Sequence, residues 1–505
     1  MTIIKILNKY RTEIIICILV ILSYFPLRLY NLMSLPLFTD EAIYTRWSQI
    51  ARYDPSWRFI SLTDGKQPLF VWFDMIVMRL IQDPLMAGRI VSVLAGFFTM
   101  IGLFFLGREI FKNRWIGILS SVLYLIYPFA LVYDRMALYD SLVGTLMVWG
   151  LYLEILLIRR LRLDVALILG MVIGAGVLTK TSGFFNIYLA PFLLILFDWS
   201  KKERLKRLLK WAGLMIIAVV MAYGYYFILR LSPFYHIINE KNTIFVYPLH
   251  DWLTHPFNFF IGNIKGVWDW FITYLTWPFF FLIIGSLFIS YKFTKEKILL
   301  ILWFIIPFSA LALFGRVLYP RFIFFMTLPL LPLIAFTVSE IFKKIKNKIL
   351  FFAFLLIISF LAIRSDYFII SDFARAPIPK SDLGQYINDW PAGGGIKEIV
   401  VYLEKEVKKG KIYVASLGTF GSLPTYAIEI YMGDNKMVDK RGIYPVPSEI
   451  PKDLLEKAKK MPVFVFISNQ HEFEEASKNW PIKLILEYKK GIGDAYSRLY
   501  QVKPS

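Results

Sequence analysis

The sequence predicts a polytopic α-helical membrane protein with a small C-terminal α/β extracytoplasmic domain, and three observations carry that reading. Of 505 residues, 57% are apolar and only 19% charged, whereas an ordinary globular chain carries about 25% charged residues. Apolar stretches long enough to cross the hydrocarbon core as helices, about 20 residues each, recur through the first 365 residues. From Asp366 onward the texture changes to alternating, mixed-charge sequence with short β-rich runs at Lys411–Ser416 and Pro462–Ile467 and a helical pattern over Pro451–Lys460.

Taken in order, the apolar stretches give about 11 spans: 12–30, 84–106, 116–133, 141–158, 165–179, 184–199, 211–231, 271–290, 298–314, 322–341 and 349–365. The first exceeds a signal-peptide core and lacks a small-residue cleavage site, so it reads as a retained span. The pair 165–179 and 184–199 is short and suits tilted or partly re-entrant helices. Two domains follow, a membrane domain over 1–365 and an outer α/β domain over 366–505, with Pro377, Pro379 and Gly393–Gly395 as punctuation between and within them.

Charge fixes the expected orientation. The connectors 5–11, 107–115, 159–164, 201–210, 291–297 and 342–348 hold 22 Lys and Arg within 46 residues, while the alternate set (31–82, 133–140, 180–183, 232–270, 315–321) holds 11 within 110. The positive-inside rule puts the first set in the cytoplasm. The N-terminus is then inside the cell membrane and the C-terminal domain outside. The net charge of +20 resides almost wholly in the membrane domain, since the tail from Asp366 has 20 basic and 18 acidic residues. That distribution removes the motive for a nucleic-acid partner. The single cysteine, Cys17, excludes a disulfide framework and a multi-Cys metal site.

The unusual polar residues fall on the outer connectors. In the long first one, 31–82, Thr39-Asp40-Glu41 precedes an amphipathic stretch to Arg52, which reads as a helix lying on the membrane with Thr39 or Asp40 as N-cap. Adjacent carboxylates there suit a general base with an acceptor-orienting or metal-binding partner; the same pair also suits a plain cap and dipole partner. Lys66, between Gly65 and the Gln67-Pro68 pair, is suited to presenting an ammonium to a phosphate. Arg135 and Asp140 share the next outer connector, five residues apart, so they need not pair with each other. Arg316 and Arg321, with Tyr319 between them, add cations on a later connector that can neutralise a lipid phosphate, and Lys180 caps the end of the 165–179 span, to the same purpose or simply snorkelling. His250 and His255 have no third ligand nearby and read as structural.

The order of these motifs resembles the GT-C superfamily of polyprenyl-phosphate-sugar glycosyltransferases, in the branch of protein O-mannosyltransferases and lipid A aminoarabinose transferases. The matching elements are Arg28 and Pro36-x-x-x-Asp40-Glu41-x-x-Tyr44, then Lys66-Gln67-Pro68-Leu69, Arg89 to Gly96, Gly107 to Phe111, Arg135-x-x-x-x-Asp140, Gly170-x-x-x-Gly174 running to Thr179-Lys180, and Tyr319-Pro320-Arg321-Phe322 leading into Leu328 to Pro332. The resemblance covers residues 20 to 340 and implies a GT-C type fold. It implies Asp40 as catalytic base, Glu41 as its partner, Asp140 as a second catalytic acid, and Lys66, Arg135 and Arg321, with Tyr319, Lys180 and Arg28, as donor-binding residues. It further implies inverting transfer of a sugar from a polyprenyl-phosphate carrier to a hydroxyl on protein, lipid or glycan, among membrane lipids and without a nucleotide.

Two departures stand out. Gln67 replaces the first proline of the usual pair, and Gly65 stands where the aminoarabinose branch tends to have an acidic metal ligand, so a divalent metal ion is possible and no cofactor is certain. The rival reading is a transporter or flippase of lipid-linked sugars. Transporters tend to set ionisable residues near the bilayer midplane and to show paired halves, whereas here the acids gather at one face and no repeat is evident.

Overall fold

The computed structural model describes residues 10–255, 257–417, 423–468 and 479–504; Lys5 and Lys9, counted in the first connector, lie outside them. Seven helical runs are long and apolar enough to cross a membrane alone: Arg11–Ser34, Pro84–Phe111, Tyr139–Arg160, Arg204–Leu231, Thr294–Phe314, Pro320–Lys344 and Lys348–Ser371. Three further expected spans form shorter apolar helices, Arg114–Leu125, Leu163–Thr179 and Thr181–Leu196. The span expected at 271–290 is corrected: Phe260–Leu275 and Trp277–Phe288 meet at 97°. Thr276 at the break takes a positive φ of 70°, and Pro278 occupies the first turn of the second helix, where it needs no backbone donor.

The elements that place the site are α1 (Arg11–Leu29), α2 (Thr39–Tyr53), α3 (Pro84–Phe111), α4 (Arg114–Leu125), α5 (Tyr139–Arg160), α6 (Leu163–Thr179), α7 (Arg204–Phe227), α8 (Ile237–Phe245), α9 (Thr294–Phe314) and α10 (Lys348–Ser371). Helix α3 packs along α4 and α5, and α6 lies between α5 and α7. A Cβ on Gly96 of α3 would come within 2.3 Å of the Asp134 carboxylate. That bare backbone makes room for a buried node in which Asp134 accepts from Arg28, Tyr24, Tyr124 and Ser141. Burying such a carboxylate is tolerable only because every partner is in place.

Helix α10 continues to Ser371 before the chain enters the tail. There a five-stranded sheet forms from β3 (Ile412–Leu417), β4 (Val438–Ile443), β5 (Val463–Ile467), β6 (Ile482–Lys489) and β7 (Tyr496–Val502), in the order β4-β3-β5-β7-β6. The β3 strand runs parallel to β4 and β5, while β7 is antiparallel to β5 and β6. Helices α11 (Leu423–Met432) and α12 (Lys452–Ala458) lie on the parallel connections, which need a crossover between strands. The fully buried β3 and β5 are continuous apolar runs, as strands covered on both faces should be.

Tail and membrane domain are stitched together at α2. The short strands β1 (Leu37–Phe38) and β2 (Ala392–Gly393) pair antiparallel, and both the backbone N–H and the hydroxyl of Thr39 donate to the Pro391 carbonyl. Arg46 of α2 pairs with Glu429 of α11 at 2.9 Å, and the Gln49 amide donates to the Ile430 carbonyl. The helix expected to rest on the membrane surface is therefore held between α3 and the tail.

Candidate functional site

The N-terminus of α2 explains which of its two carboxylates is free. Phe38, not Thr39 or Asp40, occupies the N-cap, and the Glu41 side chain accepts from the Phe38 N–H at 3.0 Å. Thr39 spends its hydroxyl on Pro391. Asp40 is thus released from capping and faces Arg321, with Asp40 Oδ2 2.9 Å from Arg321 Nη1. The Tyr44 hydroxyl, one turn along, donates to the same oxygen at 3.3 Å.

Arg321 sits at the start of the Pro320–Lys344 run, walled by the rings of Phe38, Tyr319 and Phe322 at 5.4, 5.0 and 5.9 Å from its guanidinium carbon. Asp40, Tyr386, Asp140 and Tyr44 all act electrostatically on it. Asp140, in the first turn of α5, accepts from Lys180 Nζ at 2.6 Å, and Lys180 lies over the Phe322 ring. Lys66 reaches toward the same place: Asp40, Asp64, Arg321 and Lys180 all act on its charge, and loss of water around it pushes its pKa below that of an ordinary lysine. Asp40, Lys66, Asp140, Lys180, Tyr319 and Arg321 therefore come together from five separate stretches of chain.

Lys241 of α8 joins them. Gly65 has a φ of +67° and would collide with the Lys241 side chain if it carried a Cβ, so the loop needs glycine there for both reasons. Lys241 pairs with Asp64. Asp64 thus holds Lys241, Asp140 holds Lys180 and Asp40 holds Arg321, which leaves Lys66 with no carboxylate at ion-pair distance among the described residues. The Gln67 amide, in place of the usual proline, donates to the Thr181 hydroxyl at 2.9 Å and ties the Lys66 loop to the chain beside Lys180.

Lys66, Lys180 and Lys241 line one end of a cavity of about 420 Å³ whose walls are otherwise chiefly apolar, including Phe185, Leu311, Phe314 and Met326. One end can hold an anion while the rest takes a hydrocarbon chain.

Three expected site residues lie elsewhere. Glu41 is fully buried, with both oxygens occupied by Arg89 (2.8 and 2.9 Å) and by the N–H groups of Phe38 and Ala137; it sets the path of the chain into α2 and does not face the cavity. Arg28 is buried against Asp134 and the carbonyls of Tyr124 and Leu125. Arg135 donates to the carbonyls of Leu27, Tyr30 and Asn31, closing the end of α1. Backbone oxygens leave these two guanidiniums little to offer a phosphate.

Sequence reasoning missed the back wall. Asp382, at the entrance to the tail, is completely buried and accepts from the hydroxyls of Tyr133 and Tyr274. Tyr386 exchanges a hydrogen bond with Tyr133 at 3.0 Å and meets Phe38 edge-on at 4.9 Å. Burial pushes Asp382 up to about 7, against the pull of the tyrosine hydrogen bonds and Arg321. Its only sequence signal was an acid just after a Pro-Ile-Pro turn. As for a metal, no three His, Cys, Asp or Glu gather in a suitable group among the described residues, and Asp64, the carboxylate nearest Lys66 in the chain, is already held by Lys241.

The same architecture occurs in solved structures. The crystal structure of ArnT from Cupriavidus metallidurans in the apo state aligns over 99% of this chain and 100% of that one, with a TM-score of 0.57 and 11% identity. This chain has the ArnT fold. A second ArnT structure, bound to undecaprenyl phosphate, aligns over 98% of this chain and 100% of that one, at TM-score 0.56 and 12% identity. The ArnT-like architecture extends over the tail as well as the membrane helices. The family model described as dolichyl-phosphate-mannose-protein mannosyltransferase matches residues 65–226, a stretch that holds Lys66, Asp140 and Lys180 but neither Asp40 nor Arg321. A comparison with curated protein sequences finds no match.

Proposed function

We propose that this chain is a membrane glycosyltransferase that moves a sugar from a polyprenyl-phosphate carrier to a hydroxyl acceptor at the outer face of the cell membrane, with inversion. The observation that carries the reading is Lys66, without a carboxylate partner, lining the polar end of an apolar cavity within electrostatic reach of the Asp40–Arg321 pair beside it. The likeness to an ArnT structure bound to undecaprenyl phosphate and the matching mannosyltransferase family model support it.

A polyprenyl tail does not enter water, since each CH₂ prefers an apolar environment by about 0.8 kcal/mol. The cavity walls of Phe185, Leu311, Phe314 and Met326 accept its first isoprenes while the phosphate meets Lys66. As the bond from the anomeric carbon to the phosphate oxygen breaks, charge grows on the leaving phosphate. Lys66, Lys180 and Arg321, held in a partly dehydrated site, stabilise that charge more than the ground state. Asp40 takes the proton of the attacking hydroxyl as the new bond forms on the opposite face of the sugar ring. Arg321 and Tyr44 aim its carboxylate. Asp140 restrains Lys180.

The test is purified protein with Asp40→Asn. Transfer from a polyprenyl-phosphate sugar should collapse while donor binding survives; full turnover by this variant would remove Asp40 from the chemistry. Mass spectrometry of envelope glycans and polyprenyl-linked sugars in cells with and without the gene identifies sugar and acceptor.

A further inference from the structure

A second cavity lies at the end of the helix bundle remote from Asp40. On α3, Arg89 is held at the Asp40 end and Arg108 lies about 28 Å further along at 1.5 Å per residue. Beside Arg108 opens a cavity of about 760 Å³ lined by Arg108, Lys112, Arg114 and Arg160, with Glu109 as its one acidic member and Phe105, Trp115 and Tyr152 as aromatic walls. Glu109 is shared among Lys112, Arg159 and Arg160, so its charge is already spent. Arg108 is exposed and has no carboxylate at ion-pair distance among the described residues.

The cavity does not end at its basic rim. Phe105 also lines a chiefly apolar groove of about 260 Å³ formed by α1, α3 and α4, with Val20, Ile101 and Ile118 among its walls. On each helix the groove residues lie further from the basic end: Cys17 to Ile21 follow Glu13, which pairs with Arg114; Met100 to Phe105 precede Arg108; Ile118 and Ser121 follow Arg114. A cationic pocket at the helix ends therefore adjoins, across Phe105, a hydrocarbon slot that runs toward the middle of the bundle.

We propose that this paired cavity binds an anionic glycerophospholipid, its phosphate among Arg108, Lys112, Arg114 and Arg160 and one acyl chain along the groove. Basic connectors on this face follow from topology alone, but scattered cations need no cavity and no adjoining slot. Here the excess positive charge, the aromatic walls of Phe105, Trp115 and Tyr152 and the adjoining groove suit one molecule that is anionic at one end and aliphatic at the other. The site is separate from the candidate sugar-transfer site and takes a lipid as a bound component.

The test uses the full chain in nanodiscs of phosphatidylcholine, with or without added phosphatidylglycerol or cardiolipin, followed by native mass spectrometry of the lipid retained in detergent. The wild-type chain should retain the anionic lipid selectively. Arg108→Ala with Arg160→Ala should lower that retention by about tenfold or more, since each cation near an anionic lipid counts substantially. Arg204→Ala with Lys206→Ala removes equal charge from another connector assigned to the same face and should leave retention unchanged. Ile101→Trp fills the slot without altering charge and should also release the lipid, which keeps the proposal open to failure even if the double variant folds poorly. Equal loss in the Arg204 and Lys206 control, unchanged retention in the Arg108 and Arg160 variant, or displacement of the lipid by millimolar inorganic phosphate would each overturn it, the last by revealing a site for free anions.

Discussion

Asp40 and Arg321 meet through a 2.9 Å contact that joins the first turn of α2 to the start of the Pro320–Lys344 run. The pair is only partly covered, so its carboxylate remains open to an incoming group, unlike the sealed Glu41 and Arg89 next to it. The geometry asks for a guanidinium: one nitrogen holds Asp40 while the planar fork and its three aromatic neighbours fix the rest. Arg321→Lys keeps the charge and loses the fork. Its turnover should fall by about 100-fold or more, the scale of a lost transition-state donor, as read from initial rates at saturating donor.

Lys66 gives a prediction with a sign. Its pKa lies below the ordinary lysine value because burial disfavours the ammonium. The charged form, which holds the donor phosphate in the proposed reaction, is therefore lost as pH rises through that lowered value, earlier than for an exposed lysine. Donor affinity should decline on the alkaline side, and Lys66→Arg should move the decline to higher pH or abolish it. Binding titrations of a non-titrating polyprenyl phosphodiester across pH measure this directly.

The buried Glu41–Arg89 pair is expected to govern stability. Removing one partner leaves the other charged, dehydrated and alone, at a cost of about 3–5 kcal/mol. Glu41→Gln and Arg89→Met should each lower the thermal unfolding temperature strongly, and the double variant should be less unstable than the two losses added together. A strictly additive pair would show that the two side chains do not act as a unit.

Asp382 makes the junction between domains sensitive to acidity. Its folded pKa, about 7, is raised above the model-peptide value of 3.8. A group raised in this way contributes stability that is fully present below the unfolded pKa and is lost as pH climbs through the folded one. Unfolding measurements should find stability on the order of a few kcal/mol lost between about pH 4 and pH 7 in the wild type relative to Asp382→Asn; parallel pH curves for the two would refute the assignment.

Much of this arrangement was legible in the residue pattern, for physical reasons that also explain what was hidden. Membrane helices announce themselves because hydrocarbon admits few polar residues, so seven of the eleven expected spans recur as helices long and apolar enough to cross a membrane alone, three are shorter and one is broken. The break at Thr276 escaped notice because apolar sequence continues unbroken through it. Asp40, Lys66, Asp140 and Arg321 stood out as charged residues beside apolar spans. Hydropathy could not tell them from Glu41, Arg28 and Arg135, whose carbonyl and ion-pair partners depend on how distant segments cross. Asp382, Tyr386 and Lys241 were missed for the same reason: each becomes a neighbour of the site only after packing.

The two-residue pairing of Leu37–Phe38 with Ala392–Gly393 has a consequence for biosynthesis. Asp40 follows directly on a strand whose partner lies more than three hundred residues downstream and leaves the ribosome late. Until then the growing chain can insert its helices while the entrance to α2 lacks its partner strand, and Asp382 and Tyr386 are not yet behind Arg321. A product truncated before Ala392 would lack the strand that fixes the chain just ahead of Asp40, so the proposed reaction would wait on completion of the tail.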